Sequence, residues 1–524
     1  MKDEQITAEK LAEQFREISV AEFFEKNRHL LGYENPTKSL ITIVKELVDN
    51  SLDACEDARI LPEIKIKISQ IAEDRFKIRV EDNGPGIIAE KLPFAFGKLL
   101  YGTKFHRLRQ SRGTQGIGAS GAILYSQLTT GKPTKIICST GKEKHIFELM
   151  IDVVKNEPQV ISHEIEKNPE KWHGVIVELE ALGRYVEGKQ SISEFLKQVS
   201  IANPYAKIIY QSPNNKIIFE RATNELPARP KEIKPHPYGI QLGMLRRLAL
   251  NTKARNVVGF LMGDFSRVGK KSAMEICKLA KIQPSKKPKE LSHEELERLH
   301  KAMQMAKLVA PPTDVLSPLG ENLILEGLKK EVEAEHFVAV SRSPTVYSGF
   351  PFVVECGLAY GGKLPLEEPA QVLRFANKVP LIYHSKDCVL TEAVSEVDWR
   401  RYGFTQPSGQ LPIGPLVVFI HFASVWVPYT SEGKQAIASY PDILKEAKLA
   451  LQEAGRKLAI YIRHKERLRE RQIRESIFES YIPELAESLS KLTKRPKDII
   501  KSKLEEIVKK EDKVESKGSN IEKS

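Results

Sequence analysis

No stretch of this 524-residue sequence is apolar for long enough to cross a bilayer as a helix. The most apolar run, Gly414 to Pro428, falls short of the ~18–20 residues a spanning helix needs and is interrupted by His421. The opening MKDEQITAEK carries acids where an export signal carries a basic end and an apolar run, so a cytoplasmic location is expected, with no membrane partner. Cysteine is sparse. Cys55, Cys138, Cys277, Cys356 and Cys388 stand alone, which excludes paired metal-ligand spacing and a dense disulfide framework. Also lacking are an acidic Asp-x-Asp cluster and any setting that singles out a nucleophile among the 15 tyrosines.

What is present is charge, unevenly placed. Lys and Arg total 81 against 69 Asp and Glu, an excess of 12. Between Arg229 and Lys289 there are 15 basic and 3 acidic side chains, so this segment alone accounts for the imbalance. Such a patch suits phosphate backbones as the expected partner. The plainer reading is a solvated lysine-rich face.

The length calls for about three domains. Helical periodicity spans Leu40–Ala58, and IKIKISQ (64–70) and FKIRVED (76–82) alternate as paired strands. Prolines 227, 230, 235 and 237 mark a boundary, a helical basic segment follows with a break at Pro284–Pro288, and Pro311-Pro312 mark the next boundary. Beyond it, HFVAVS (336–341) and LVVFIHFASVWV (416–427) read as strands. A long helix is expected from Pro441 to about Ser480, and the tail from Lys491 reads as ending in disorder.

Three motifs carry chemistry. On the first helix, Glu46, Asn50 and Asp53 recur at i, i+4 and i+7, which predicts a shared polar face opposite Leu40, Val44, Leu47, Val48 and Ser51. Asp82 ends a strand just before Gly84 and Gly86, whose freedom lets the backbone turn close to a ligand, and its carboxylate could accept from an exocyclic amine. In SRGTQGIGASGA, Gly113, Gly116 and Gly118 precede an apolar helical stretch, so backbone N–H groups and the helix dipole could face phosphate. The formal dinucleotide fingerprint Gly116-x-Gly118-x-x-Gly121 lacks its preceding strand and its acid, and GDFSRVGKKS misses phosphate-loop spacing by one residue.

In this order, ExxxN, DxGxG and GxxGxG resemble the Bergerat (GHKL) ATP-binding fold shared by gyrase, a heat-shock chaperone, histidine kinases and MutL. ELVDNSLDA, EDNGPGI, FGKLLYGTKFH and SRGTQGIGASGAILYSQ resemble the B subunits of archaeal type IIB DNA topoisomerase VI over most of the chain. The resemblance implies an α+β multidomain protein. A GHKL sandwich with an N-terminal strap would occupy 1–228, a helix-two-turns-helix insert 229–307, a second α+β transducer domain 308–470, and a C-terminal helical linker and tail 471–524.

It implies ATP and Mg²⁺ as ligands. Glu46 would be the general base, Asn50 the metal ligand and Asp82 the reader of adenine, in a pocket shaped by Gly84 and Gly86. Thr103, Lys104 and the loop Gly113, Thr114, Gln115, Gly116, Ile117, Gly118, Ala119 and Ser120 would cover the phosphates. Lys434, in VPYTSEGKQAIAS, would reach the γ-phosphate from the second domain. ATP would dimerise the protein around duplex DNA. Cleavage would belong to a separate A-type subunit, docked near Arg471 onward in an A2B2 heterotetramer. A MutL-like or chaperone-like GHKL clamp is the alternative.

Overall fold

The computed structural model describes residues 12, 15, 17–104, 107–113, 116–188, 190–431 and 433–506. Thr114, Gln115 and most of the expected N-terminal strap lie outside the described residues. Met1–Ala454 form one compact unit and Gly455–Ser524 another.

The first layer begins with α1 (Val20–Lys26) and α2 (Pro36–Asp57). Helix α2 starts earlier than its apolar periodicity indicates. Asn35 caps it by accepting from the Lys38 N–H at 2.9 Å, and Pro36 sits in the first turn, where a missing N–H breaks no helical bond. There follow β1 (Glu63–Ala72), β2 (Arg75–Asp82), α3 (Leu92–Gly97), α4 (Gly118–Thr130), β3 (Thr134–Thr140), β4 (Glu143–Asp152), β5 (Glu157–Lys167), β6 (His173–Leu182), α5 (Ile192–Ala202), β7 (Lys207–Gln211) and β8 (Lys216–Phe219). The strands form one sheet in the order β5-β4-β3-β6-β2-β1-β7-β8, antiparallel except for β1 with β7. Ile64, Ile66 and Ile68 alternate with Lys65 and Lys67, so one face packs under α2, α4 and α5 while the other meets water.

Helices α6 (Leu242–Asn251), α7 (Val257–Asp264), α8 (Lys270–Ala280) and α9 (His293–Met305) enclose a separate core that includes Leu245, Phe260, Ile276 and Leu299. Arg267 lies between α7 and α8, and Lys270 and Lys271 open α8; all three are exposed.

The second sheet follows α10 (Gly320–Glu331). Its strands are β9 (His336–Ser341), β10 (Thr345–Tyr347), β11 (Phe350–Tyr360), β12 (Gln371–Ala376), β13 (Val379–Pro380) and β14 (Leu416–Ser424), with α11 (Val389–Glu396) before β14. Their order is β10-β11-β14-β12-β13, with β9 also on β11. The apolar run expected to be a strand through residue 427 ends at Ser424. There the Asn377 side chain replaces the ladder, accepting from the Ser424 N–H and donating to its carbonyl, both at 2.9 Å.

One apolar cluster joins the two sheets: Ile201, Ala202 and Tyr205 pack with Ile324, Leu328, Phe375 and Phe419. A Cβ on Gly327 would lie 2.0 Å from the Ile201 carbonyl, so glycine lets α10 approach α5. Helix α12 (Pro441–Thr493) outruns its expected end near Ser480, because Pro483 removes one helical bond without stopping the chain.

Candidate nucleotide site

Glu46, Asn50, Thr103, Lys104, Gly113, Gly116, Ile117, Gly118, Ala119, Ser120 and Lys434 line a single cavity of about 580 Å³. That volume suits a ligand of nucleotide size. Apolar walls come from Leu31, Ile87, Ala95 and Phe96. Asp82, Gly84 and Gly86 are not part of the lining.

The expected polar face of α2 is only partly open. Glu46 is half-buried and Asn50 exposed, but Asp53, expected beside them, is buried, as are Lys45 and Asp49 on the same helix. Period alone cannot anticipate this, because Asp53 is buried together with the charges that neutralise it. It takes an ion pair from Lys104 and another from Arg112 at 2.7 Å. Burial opposes its ionisation, but these two cations outweigh burial and hold the Asp53 carboxyl well below the usual range.

Gly118 lets the glycine-rich loop meet α2. A Cβ on Gly118 would stand 2.0 Å from Glu46 Oε2, and the Cβ position of Gly113 is 4.0 Å from Asn50 Oδ1. Helix α4 starts at Gly118 with Ile117 as its N-cap, which has no side-chain acceptor for the first N–H groups. Those donors are open to an anion. No described residue hydrogen-bonds the Glu46 carboxylate.

Asp82 is held rigidly beneath. Its Oδ1 accepts from Gly84 N–H at 2.9 Å and Val175 N–H at 3.2 Å, and its Oδ2 from the Ser51 hydroxyl at 2.9 Å. Burial pushes its carboxyl up, against those three donors. Gly86, at φ +74°, would clash with the Ser139 carbonyl if it carried a Cβ. Gly174 meets the Asp82 carbonyl as closely; nothing in the sequence near it signals this role.

Lys434 belongs to the second layer and is buried. Its ammonium donates to the Arg112 carbonyl at 3.4 Å, and Lys45 of α2 donates to the neighbouring Gly433 carbonyl at 3.2 Å. The strand-like arm leading into the phosphate loop is fastened along its length. Leu108 pairs with Ile233, Gln110 exchanges two hydrogen bonds with Ser317, and the Ser111 carbonyl accepts from Asn377 at 3.1 Å.

Sequence reasoning misses the charge cluster under this arm. Arg112 pairs with Asp53 and Glu56 and donates to Asn203, while Lys378 reaches Glu56 at 2.9 Å from 322 residues away. Burial works against Glu56, but Arg112 and Lys378 bring its carboxyl down to about 2. A weak signal was present: Arg112 directly precedes the first glycine of the loop.

Asp49 has no such rescue. Its Oδ2 is buried without a hydrogen-bond partner, and burial raises its carboxyl to about 7 against the pull of Lys45, with Glu46 adding to the rise and Arg112 and Lys434 opposing it.

Residues 35–153 match the family described as histidine kinase-, DNA gyrase B- and HSP90-like ATPase, and residues 311–474 match the topoisomerase VI B subunit transducer. The B subunit of type 2 DNA topoisomerase 6 from Methanosarcina barkeri is 47% identical over 495 residues, covering 93% of this chain and 79% of its own. The Archaeoglobus fulgidus protein of the same name is 47% identical over 492 residues (92% and 81%) and that of Pyrococcus horikoshii 40% over 543 (94% and 95%).

A pH prediction follows from Asp49. Well below pH 4, it is protonated folded and unfolded alike. As pH rises the unfolded chain ionises first, so stability is lost up to about pH 7, where the penalty is complete. Asp49→Asn should therefore raise the thermal midpoint at pH 8, by a stabilisation on the order of 4 kcal/mol, and by less than half of that at pH 5. An equal gain at both pH values would show that Asp49 is not held protonated.

Proposed function

Because the chain belongs to the family of type 2 DNA topoisomerase 6 B subunits, and carries its GHKL ATPase domain, we propose that ATP bound between its two sheet domains closes a gate on duplex DNA. The relatives favour this reading over a MutL-like or chaperone-like clamp. The observation that carries the composite site is the presence of Lys434, from the second layer, on the same cavity wall as Glu46 and Asn50.

Glu46 orients and deprotonates the attacking water; its carboxylate has room to do so and no described partner to release. The Lys434 ammonium and the uncapped start of α4 would hold the γ-phosphate, their fixed charge and N–H groups compensating the phosphoryl oxygens. Lys104 and Thr103 flank the phosphates. Asn50 presents an amide oxygen, a donor type that Mg²⁺ accepts, and the ion when bound supplies further charge compensation. Ile87, Ala95 and Phe96 would hold the adenine, and Asp82 would read its amine.

We assign 1–228 to the ATPase domain with its strap, 229–307 to the basic insert, 308–470 to the transducer and 471–524 to the docking region for an A-type cleavage subunit, in an A2B2 assembly. The insert's exposed Arg267, Lys270 and Lys271 offer phosphate contacts. ATP binding dimerises the protein, and the partner cuts the DNA.

Turnover by purified protein tests the site. Glu46→Gln and Lys434→Ala should each lower the ATPase rate by roughly 10²-fold or more with unchanged circular dichroism; a wild-type rate in either variant removes that residue from the site. Gly118→Ala should lower the rate too, since its methyl displaces the Glu46 carboxylate. Full activity in that variant would mean that Glu46 works from another position.

A further inference from the structure

We propose that Lys378 is a second interdomain lysine, a positioning residue that reports the place of the transducer to the nucleotide site through Glu56 and Arg112. It rests on the reading above, and it names a coupling element distinct from Lys434.

The sequence of the turn is the first observation. β12 and β13 pair through Ala376 with Val379, leaving Asn377-Lys378 as a two-residue hairpin loop. Both loop residues have positive φ, +47° and +69°. Hairpins of this kind favour Asn followed by Gly, because a side chain at the second position is strained. Lysine occupies that strained position, and its side chain is buried. A turn needing only to turn would be better served by glycine.

The second observation is how firmly the turn is fixed. Asn377 bonds the Ser424 backbone twice and donates to the Ser111 carbonyl. The Lys378 N–H donates to His421 Nε2 at 3.0 Å, so His421 Nδ1 carries the proton and donates to Glu355 at 2.8 Å. Glu355 in turn accepts from the Leu319 and Gly320 N–H groups at the start of α10. Local strain that the surroundings over-determine in this way marks a position kept for its side chain.

The third observation is the target. The Lys378 ammonium meets Glu56, one α2 turn beyond Asp53, and lies 3.4 Å from the Tyr205 hydroxyl. Glu56 pairs with Arg112, whose next residue, Gly113, faces Asn50. A shift of the transducer against α2 therefore pulls on the residue before the phosphate loop. In a buried seam such a pair holds one arrangement or another, and does not slide continuously.

Lys378→Gly removes the ammonium while relieving the turn, and arginine rescue separates this role from a structural one. We expect a thermal midpoint somewhat below wild type, since Glu56 keeps Arg112 but loses its second cation, together with an ATP KM raised about 5-fold or more and by more than kcat falls, the size of a typical site-to-site coupling. Lys378→Arg should recover part of the KM. A wild-type KM in Lys378→Gly overturns the inference, as does a KM defect that arginine does not recover. If the wild-type chain does not turn over ATP at all, the nucleotide reading itself fails, which is a separate result.

Discussion

The structure depends on keeping a buried group of charges neutral. Buried Arg112, Asp53 and Lys378 and the partly buried Glu56 lie in the seam between the two sheets, where an unpaired charge would cost several kcal/mol. Each is tolerated only because the others are present, and they come from three places: helix α2, the arm of the phosphate loop and the β12–β13 turn. Pairing across the seam therefore fixes where the loop stands relative to Glu46 and Asn50. The apolar cluster around Tyr205 and Phe419 supplies attraction without direction; the ion pairs supply the register.

This arrangement makes the cavity proposed for nucleotide a joint between layers. Its floor and glycine-rich loop belong to the first sheet domain, while Lys434, from the second, arrives on a loop that Lys45 of α2 helps to hold. A ligand that contacts both sides biases their relative position by its differential affinity, which is all that a gate requires. Beside these two layers the chain carries a basic helical insert with its own core.

Much of this was legible locally. The alternation of Ile64, Ile66 and Ile68 gave the first hairpin, and the glycine at 118 stands where the backbone must crowd α2. The rest escaped because it is long-range. Helical period placed Asp53 on an open face, yet its burial is decided by Arg112 and Lys104, far along the chain. The strand ending at Ser424 looked longer because hydrophobicity continues past the point where Asn377 replaces its ladder. Lys378 carries no motif, and Gly174 looks like any other glycine. Lys434 was named only by resemblance, and its burial against the Arg112 carbonyl could not be read from composition.

The central claim is that nucleotide joins the two layers. Amide hydrogen exchange of the full chain, with and without a non-hydrolysable ATP analogue, tests it most directly. The account predicts that protection rises together in the loop arm around 107–113 and in the second layer's Asn377–Lys378 turn and 429–437 loop. Protection confined to the first sheet domain, with the second layer unchanged, would contradict it.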